Sequence, residues 1–239
     1  MQNSAASHLN SENYFTAQGI ILFRQVYQEN DYILDILSAT NYRFSALAKN
    51  ARKSVKRFSG GLEPLQILSF SVKAPRENSY GDRLFFLEGA QVVEFFDGYK
   101  KSWTLLSDGL FLTEFLREAL PKGEQEAWVY EHAVNLLKRF STPEFSDIAS
   151  TWKRVFFWSS LSAKLGYGLL GERGRLKHAL GDHEELWIGA HSAAPEDLEV
   201  ILRPLTSKKL DKNDLKDLYS DWIERSHLRC KAVETWINT

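Results

Sequence analysis

The chain has 239 residues, of which 44% are hydrophobic and 13% aromatic, so it can bury the core of one large or two small domains. The formal net charge of −1 excludes a protein that coats nucleic acid with its whole surface, but it permits one local binding face. The single cysteine excludes an intrachain disulfide and a cysteine-rich zinc site, and it favours a reducing, cytosolic setting.

Residues 1–13 are polar and small, and we expect a disordered tail there rather than a signal peptide. No apolar run approaches the roughly 20 residues of a membrane helix, so we expect no membrane partner.

The first third of the chain alternates between apolar and polar residues, as strands do. The predicted strands are Phe15–Leu22, Tyr32–Leu37, Phe44–Ala48, Leu68–Val72 and Leu84–Phe96, the last interrupted at Gly89. Five short strands in fewer than about 100 residues fit a small closed barrel of the OB type. We therefore predict an OB-fold domain over residues 14–97.

The pattern becomes helical over residues 98–239. The first predicted helix passes through Trp103 and Phe115, and the second is Trp128–Phe140. The third is started by Thr142-Pro143-Glu144 and ends at Leu165, and a short fourth helix lies between Pro195 and Pro204. A last helix is capped by Asp211 and continues to Trp236. The predicted fold class is α+β with two domains: an N-terminal five-stranded OB-fold β-barrel followed by an all-α helical domain.

Between Ile36 and Leu62 the chain carries six basic residues and no acidic one, which suits a polyanion. Lysine and arginine that neutralise phosphates release condensed counterions, so such contacts bind strongly at low salt. Flanking Phe44 and Phe58 could stack on bases, although Phe44 alternates with Ser45 and fits a core position. The competing interpretation is a solvated charged loop. The candidate DNA-binding residues are Lys49, Arg52, Lys53, Lys56 and Arg57, while the role of Arg43 stays open.

Four motifs occur in order around this segment: Gly19-Ile-Ile-Leu22, Tyr27-x-Glu-x-Asp31, Ser45-Ala-Leu-Ala-Lys-Asn-Ala-Arg52 and Phe58-Ser-Gly-Gly-Leu-Glu-Pro64. Together they resemble the amino-terminal pattern of the RecO family of bacterial DNA repair and recombination mediator proteins. The resemblance continues at Lys153–Phe157 and Lys164–Gly168. It implies an OB-fold barrel, a helical domain, binding to single- and double-stranded DNA, and annealing of complementary strands. It also implies recombinase loading with RecR and with the acidic C-terminal tail of the single-strand-binding protein SSB.

The same resemblance points to Lys153, Arg154 and Phe157 for binding the SSB tail. The chain departs from the family pattern after the Leu-Gly-Tyr segment, where many members carry a four-cysteine zinc site. Residues 169–194 contain no cysteine, so we predict an irregular insert there and no metal. The glycine usual before the Ala-Arg pair is replaced by Asn50, which tolerates a left-handed conformation.

Two other groups of polar residues could bind metal. His178, His183 and His191, with Asp182 and Glu184, match no common zinc spacing, and a polar loop is the favoured interpretation. Glu29, Asp31 and Asp35 could hold Mg²⁺, but no nucleophile or histidine base lies near them in sequence. We expect Glu29 and Asp31 to shape the loop and the strand start, and to pair with a basic residue of the connector.

A second basic run, Lys208, Lys209 and Lys212, fits a solvated helix start, and Cys230 fits a small buried apolar position. The sequence therefore predicts a DNA-binding mediator without catalytic residues, cofactor or small-molecule substrate, located in the cytoplasm at the nucleoid. The alternatives are an RNA-binding OB module and a metal-dependent nuclease.

Overall fold

The structure is a computed structural model. It describes residues 14–74, 84–167 and 198–239, and also residues 176, 180–185, 187 and 188. The chain divides into two compact units. The barrel unit runs to Phe96 and includes Leu120–Glu131, and the helical unit comprises Asp97–Ala119 and His132–Thr239. Leu120–Glu131, which the sequence placed with the helices, groups with the strands because it contains a short strand that pairs with the sheet.

The described strands are β1 (Tyr14–Tyr27), β2 (Asp31–Ser38), β3 (Tyr42–Ala48), β4 (Phe58–Ser59), β5 (Gln66–Lys73), β6 (Leu84–Phe95) and β7 (Gly123–Glu124). The described helices are α1 (Trp103–Ala119), α2 (Trp128–Phe140), α3 (Ser150–Lys164), α4 (Leu198–Leu205), α5 (Lys212–Ser226) and α6 (Lys231–Asn238). None of these helices combines the length and apolar character that crossing a bilayer requires.

Five of the strands close into a barrel. Antiparallel pairs join β1 to β2, β2 to β3, β5 to β1 and β5 to β6, and a parallel pair between β3 and β6 completes the ring. Alternate residues such as Leu34, Ile36, Phe44 and Phe70 point inward and form the core. The two-domain α+β class with an OB-like barrel is thus confirmed, and the five ring strands are the five predicted from the sequence.

The strand limits differ from the sequence pattern in two ways. Strand β1 continues past Leu22 to Tyr27, because the antiparallel ladder with β2 extends to the pair Tyr27 and Asp31. Strand β6 is continuous through Gly89. Its register with β5 skips Glu88, which is the extra residue of a β-bulge. The two-residue strands β4 and β7 are too short to give a periodic signal.

The helical unit also corrects two predictions. The Thr142 hydroxyl donates to the Arg139 carbonyl instead of capping a helix, so only a 3₁₀ turn, Pro143–Phe145, begins there and α3 starts at Ser150. The predicted last helix is two helices, because His227 adopts a left-handed conformation with φ of 56° between them.

Other helix limits agree more closely with the sequence. Asp211 caps α5 as predicted, accepting from the backbone N–H groups of Asn213 and Asp214. Pro204 lies in the last turn of α4 rather than beyond its end. The predicted start of that helix, Pro195, lies outside the described residues.

Candidate nucleic-acid interface

The basic connector between β3 and β4, residues 49–57, is an ordered pair of turns, which we call the basic turn. Backbone hydrogen bonds from Ser54 N–H to the Asn50 carbonyl (3.0 Å) and from Phe58 N–H to the Ser54 carbonyl (3.1 Å) close the two turns. Asn50 enters the first turn with φ of 54°, a left-handed conformation that asparagine tolerates. The local sequence thus provides a fixed scaffold for the cations.

The hairpin between β1 and β2 holds the basic turn in place. The Asp31 carboxylate accepts from Asn50 N–H at 2.8 Å, and the Arg52 N–H donates to the Asn30 carbonyl at 3.1 Å. The Arg52 guanidinium also donates to the Glu29 carbonyl at 2.8 Å. The two loops therefore form one hydrogen-bonded surface.

The five candidate DNA-binding residues have different surroundings. Lys49, Arg52, Lys53 and Lys56 are exposed, whereas Arg57 is half-buried. The Arg57 guanidinium donates to the Ser54 hydroxyl at 3.3 Å and to the Lys49 carbonyl, so it shapes the turn from within. Lys53 and Lys56 make no side-chain hydrogen bond or ion pair in the part of the chain that the structure describes. Four cations therefore face solvent on a scaffold that Arg57 helps to fix.

Three other residues of this region are internal. Arg43 is 7% exposed; it donates to the Leu120 carbonyl and pairs with Asp35 at 3.5 Å. Phe44 and Phe58 are 2% and 3% exposed and belong to the barrel core. The expectation that Phe58 could stack on bases is therefore wrong, because its ring is enclosed by the barrel.

Two nearby acids, Asp31 and Asp35, have structural roles, and Asp31 shapes the loop, as expected, through a backbone N–H group. Asp31 anchors the basic turn, and Asp35 accepts from Arg43 and from the Ser45 hydroxyl. Among the described residues, no group of three or more His, Cys, Asp or Glu side chains is placed to hold a metal ion. His178 and His191 lie outside the described residues, so the histidine cluster stays a sequence-based hypothesis.

The helical unit carries an open groove of about 350 Å³, which we call the Arg154 groove. Its apolar lining includes Trp103, Leu106, Leu110, Phe111 and Trp236. Trp103, through which the first helix was predicted, is 86% exposed. Trp103 is the first residue of α1, where a side chain can project beyond the helix. The sequence signal is its place at the start of the helical pattern.

Arg154 supplies the positive charge of this groove. Its guanidinium lies 5.1 Å from the Phe111 ring centre and 5.5 Å from that of Trp236. It donates to the buried Asp108 carboxylate at 2.8 Å and to the Ser107 hydroxyl at 2.9 Å. These contacts fix a cation at the wall of an apolar groove.

The two other residues proposed for the SSB tail, Lys153 and Phe157, are 1% and 0% exposed. The Lys153 ammonium pairs with Asp108 at 2.9 Å, so Asp108 joins two cations within the unit. Arg154 lines the groove, whereas Lys153 and Phe157 are buried and are not among its lining residues.

Two lysines of the second basic run and the cysteine form hydrogen bonds within the folded chain. Lys208 donates to the Leu180 carbonyl at 3.2 Å and Lys212 to the Asn238 carbonyl at 2.9 Å. Cys230 is fully buried, and burial, followed by its hydrogen bond to Glu118, raises the pKa of its thiol well above the ordinary value.

Comparison with known proteins identifies the barrel unit. The family model described as "Recombination protein O N terminal" matches residues 13–96. A DNA repair protein RecO of Geobacter sulfurreducens is 28% identical over 152 residues, which are 64% of this chain and 58% of that protein. The RecO of Desulfosudis oleivorans is 48% identical over 65 residues, 27% of this chain and 25% of the relative. The RecO of Anaeromyxobacter sp. (strain K) is 31% identical over 119 residues, 50% of this chain and 45% of the relative.

These matches span between about a quarter and three fifths of the length of the relatives. The family model lies on the barrel unit, and the similarity to RecO proteins agrees with the family that the order of the motifs indicated.

Proposed function

We propose that the chain, like the RecO proteins it is similar to, is a DNA-binding mediator of recombinational repair that acts without catalysis. It binds single- and double-stranded DNA, promotes annealing of complementary strands, and assists recombinase loading with RecR and SSB in the cytoplasm, at the nucleoid. The observation that carries the proposal is the basic turn, where four exposed cations stand on a hydrogen-bonded scaffold.

In this proposal Lys49, Arg52, Lys53 and Lys56 contact phosphates, and Arg57 maintains the turn that presents them. Contacts to phosphate carry little sequence information, so the interface binds most sequences similarly. Two DNA strands repel each other through their phosphates. A protein that neutralises charge on both strands lowers this repulsion, and pairing then proceeds without covalent chemistry.

The test is fluorescence anisotropy of a labelled oligonucleotide with the wild type and with Arg52, Lys53, Lys56 and Arg57 all changed to Ala. We expect a large loss of affinity and a shallower dependence on salt in the variant. An unchanged affinity and salt dependence would contradict the proposal. A competition with RNA of the same sequence distinguishes an RNA-binding module, and incubation with Mg²⁺ or Mn²⁺ detects any nuclease activity.

For SSB we propose the Arg154 groove as the binding site of the acidic tail. An apolar groove with a fixed cation on its wall is complementary to a peptide that ends in apolar residues and a carboxylate. RecR is proposed from the family resemblance alone.

A tail peptide, titrated by anisotropy, tests the groove. Trp103→Ala is the cleaner variant, because Trp103 is 86% exposed and its removal leaves the core intact. Arg154→Glu also weakens peptide binding, but it places a second carboxylate beside buried Asp108 and needs a stability control. Both variants are expected to retain binding to naked DNA. Unchanged peptide binding by Trp103→Ala and by Arg154→Glu would remove the groove as the site.

A further inference from the structure

The end of β6 presents two apolar side chains to solvent. Val93 and Phe95 are 53% and 40% exposed. The register between β5 and β6 pairs Leu68 with Val92 and Ile67 with Glu94, and it skips Val93, which is therefore the extra residue of a β-bulge. Such bulges redirect side chains and are common beside binding sites. We call Val93 and Phe95 the apolar ledge.

The ledge lies where the chain leaves the basic turn. The Ala90 N–H donates to the Arg57 carbonyl at 2.8 Å, and β4 then runs parallel to β6. One residue beyond β4, a Cβ added to Gly60 would lie 3.7 Å from Phe95 Cζ. The chain that carries the cations thus leads directly to an exposed aromatic ring.

A surface with cations beside an exposed aromatic ring fits one ligand class well. Single-stranded nucleic acid has an anionic backbone and uncovered base faces, whereas a duplex hides those faces in its stack. The rings that flank the basic turn in sequence are not available for stacking, since Phe44 and Phe58 are buried. The ring of Phe86, 5.4 Å from the Lys49 ammonium, is half-buried, whereas Phe95 is an exposed ring near the basic turn.

We propose that Phe95, with Val93 beside it, stacks on a base of single-stranded DNA whose phosphates are held by the basic turn. The inference rests on the proposed function and deepens it, because it assigns a base-contacting position. The ledge gives the interface a preference for unpaired strands, which the cations alone do not provide.

The test compares two labelled oligomers of equal length and charge: a thymidine oligomer and an abasic oligomer with the same number of phosphates. The wild type is expected to bind the thymidine oligomer more tightly. Phe95→Ala should lower the affinity for the thymidine oligomer about fivefold or more, because one stacking contact is lost. Its affinity for the abasic oligomer and the salt slope should stay unchanged. Phe95→Tyr retains the preference because it keeps a ring.

Val200→Ala is the matched control, since Val200 is an exposed apolar residue of α4 at 65% exposure. Val93→Ala is a second variant of the ledge, and it is expected to reduce the thymidine preference less than Phe95→Ala. Equal binding of both oligomers by the wild type, or an unchanged preference in Phe95→Ala, overturns the ledge while the proposed function stands. Failure of the wild type to bind either oligomer overturns the proposed function itself.

Discussion

The salt dependence of DNA binding gives the sharpest test of the basic turn. Lys53 and Lys56 are exposed and make no side-chain hydrogen bond or ion pair within the described part of the chain, so removing them should not disturb the scaffold. Each phosphate contact contributes about 0.7 to the slope of log affinity against log salt for single strands. Four contacts, from Lys49, Arg52, Lys53 and Lys56, give a slope of about 2.8.

The double variant Lys53→Ala/Lys56→Ala keeps two contacts and should have a slope of about 1.4. Between about 50 and 200 mM salt, the wild type is then expected to lose affinity about 50-fold and the variant about 7-fold. Anisotropy titrations with a labelled single strand at four or five salt concentrations measure both slopes.

Lys209→Ala/Lys216→Ala is the control, because it removes two exposed positive charges from the helical unit. It should leave the slope near the wild-type value. Equal slopes for the wild type and the Lys53/Lys56 variant would refute the assignment of these lysines to phosphates. A reduced slope in the control would show instead that overall charge, not the basic turn, sets the salt dependence.

Three further outcomes follow from the described contacts. Gly60→Ala should destabilise the barrel unit more than Gly61→Ala in urea denaturation. Both glycines have φ near +80°, a cost of about 1–2 kcal/mol for alanine, but only at Gly60 would the added Cβ come within 2.8 Å of another side chain. Asp108→Asn should cost about 3–5 kcal/mol in the same assay, because it leaves the buried Lys153 ammonium without its carboxylate; a loss below about 1 kcal/mol would contradict this. Cys230 should resist iodoacetamide at pH 8–9 in the native protein and react in denaturant, since burial raises its thiol pKa; rapid native labelling would contradict that burial.

Much of the barrel could be predicted because its signal is local. The alternation through Leu34, Ile36, Phe44 and Ala46 identifies strands from neighbouring residues alone, and the structure places these side chains in the core. The break between α5 and α6 could not be predicted, because the apolar stripe continues past it. Its cause is the left-handed backbone at His227, a conformation that no helical periodicity reports.

The candidate interface shows the same division between local and tertiary information. The sequence by itself determined where the positive charge is concentrated, because a run of six basic residues without an acid needs no fold to be recognised. Only the tertiary structure decided what each member does. Arg43 pairs with Asp35, Arg57 turns back onto its own loop, and Phe58 enters the core. Some of these contacts are local and others, such as that of Arg43 with the Leu120 carbonyl, join distant residues, but only the folded backbone determines which partner each side chain reaches and which side chains remain in solvent.

The aromatic surface beside the cations was likewise decided by folding. Phe95 lies nearly 40 residues from the basic turn in sequence, and a parallel pairing of β4 with β6 brings it next to Gly60. Sequence spacing carries no record of such a pairing, because strand partners are selected by the closure of the whole barrel.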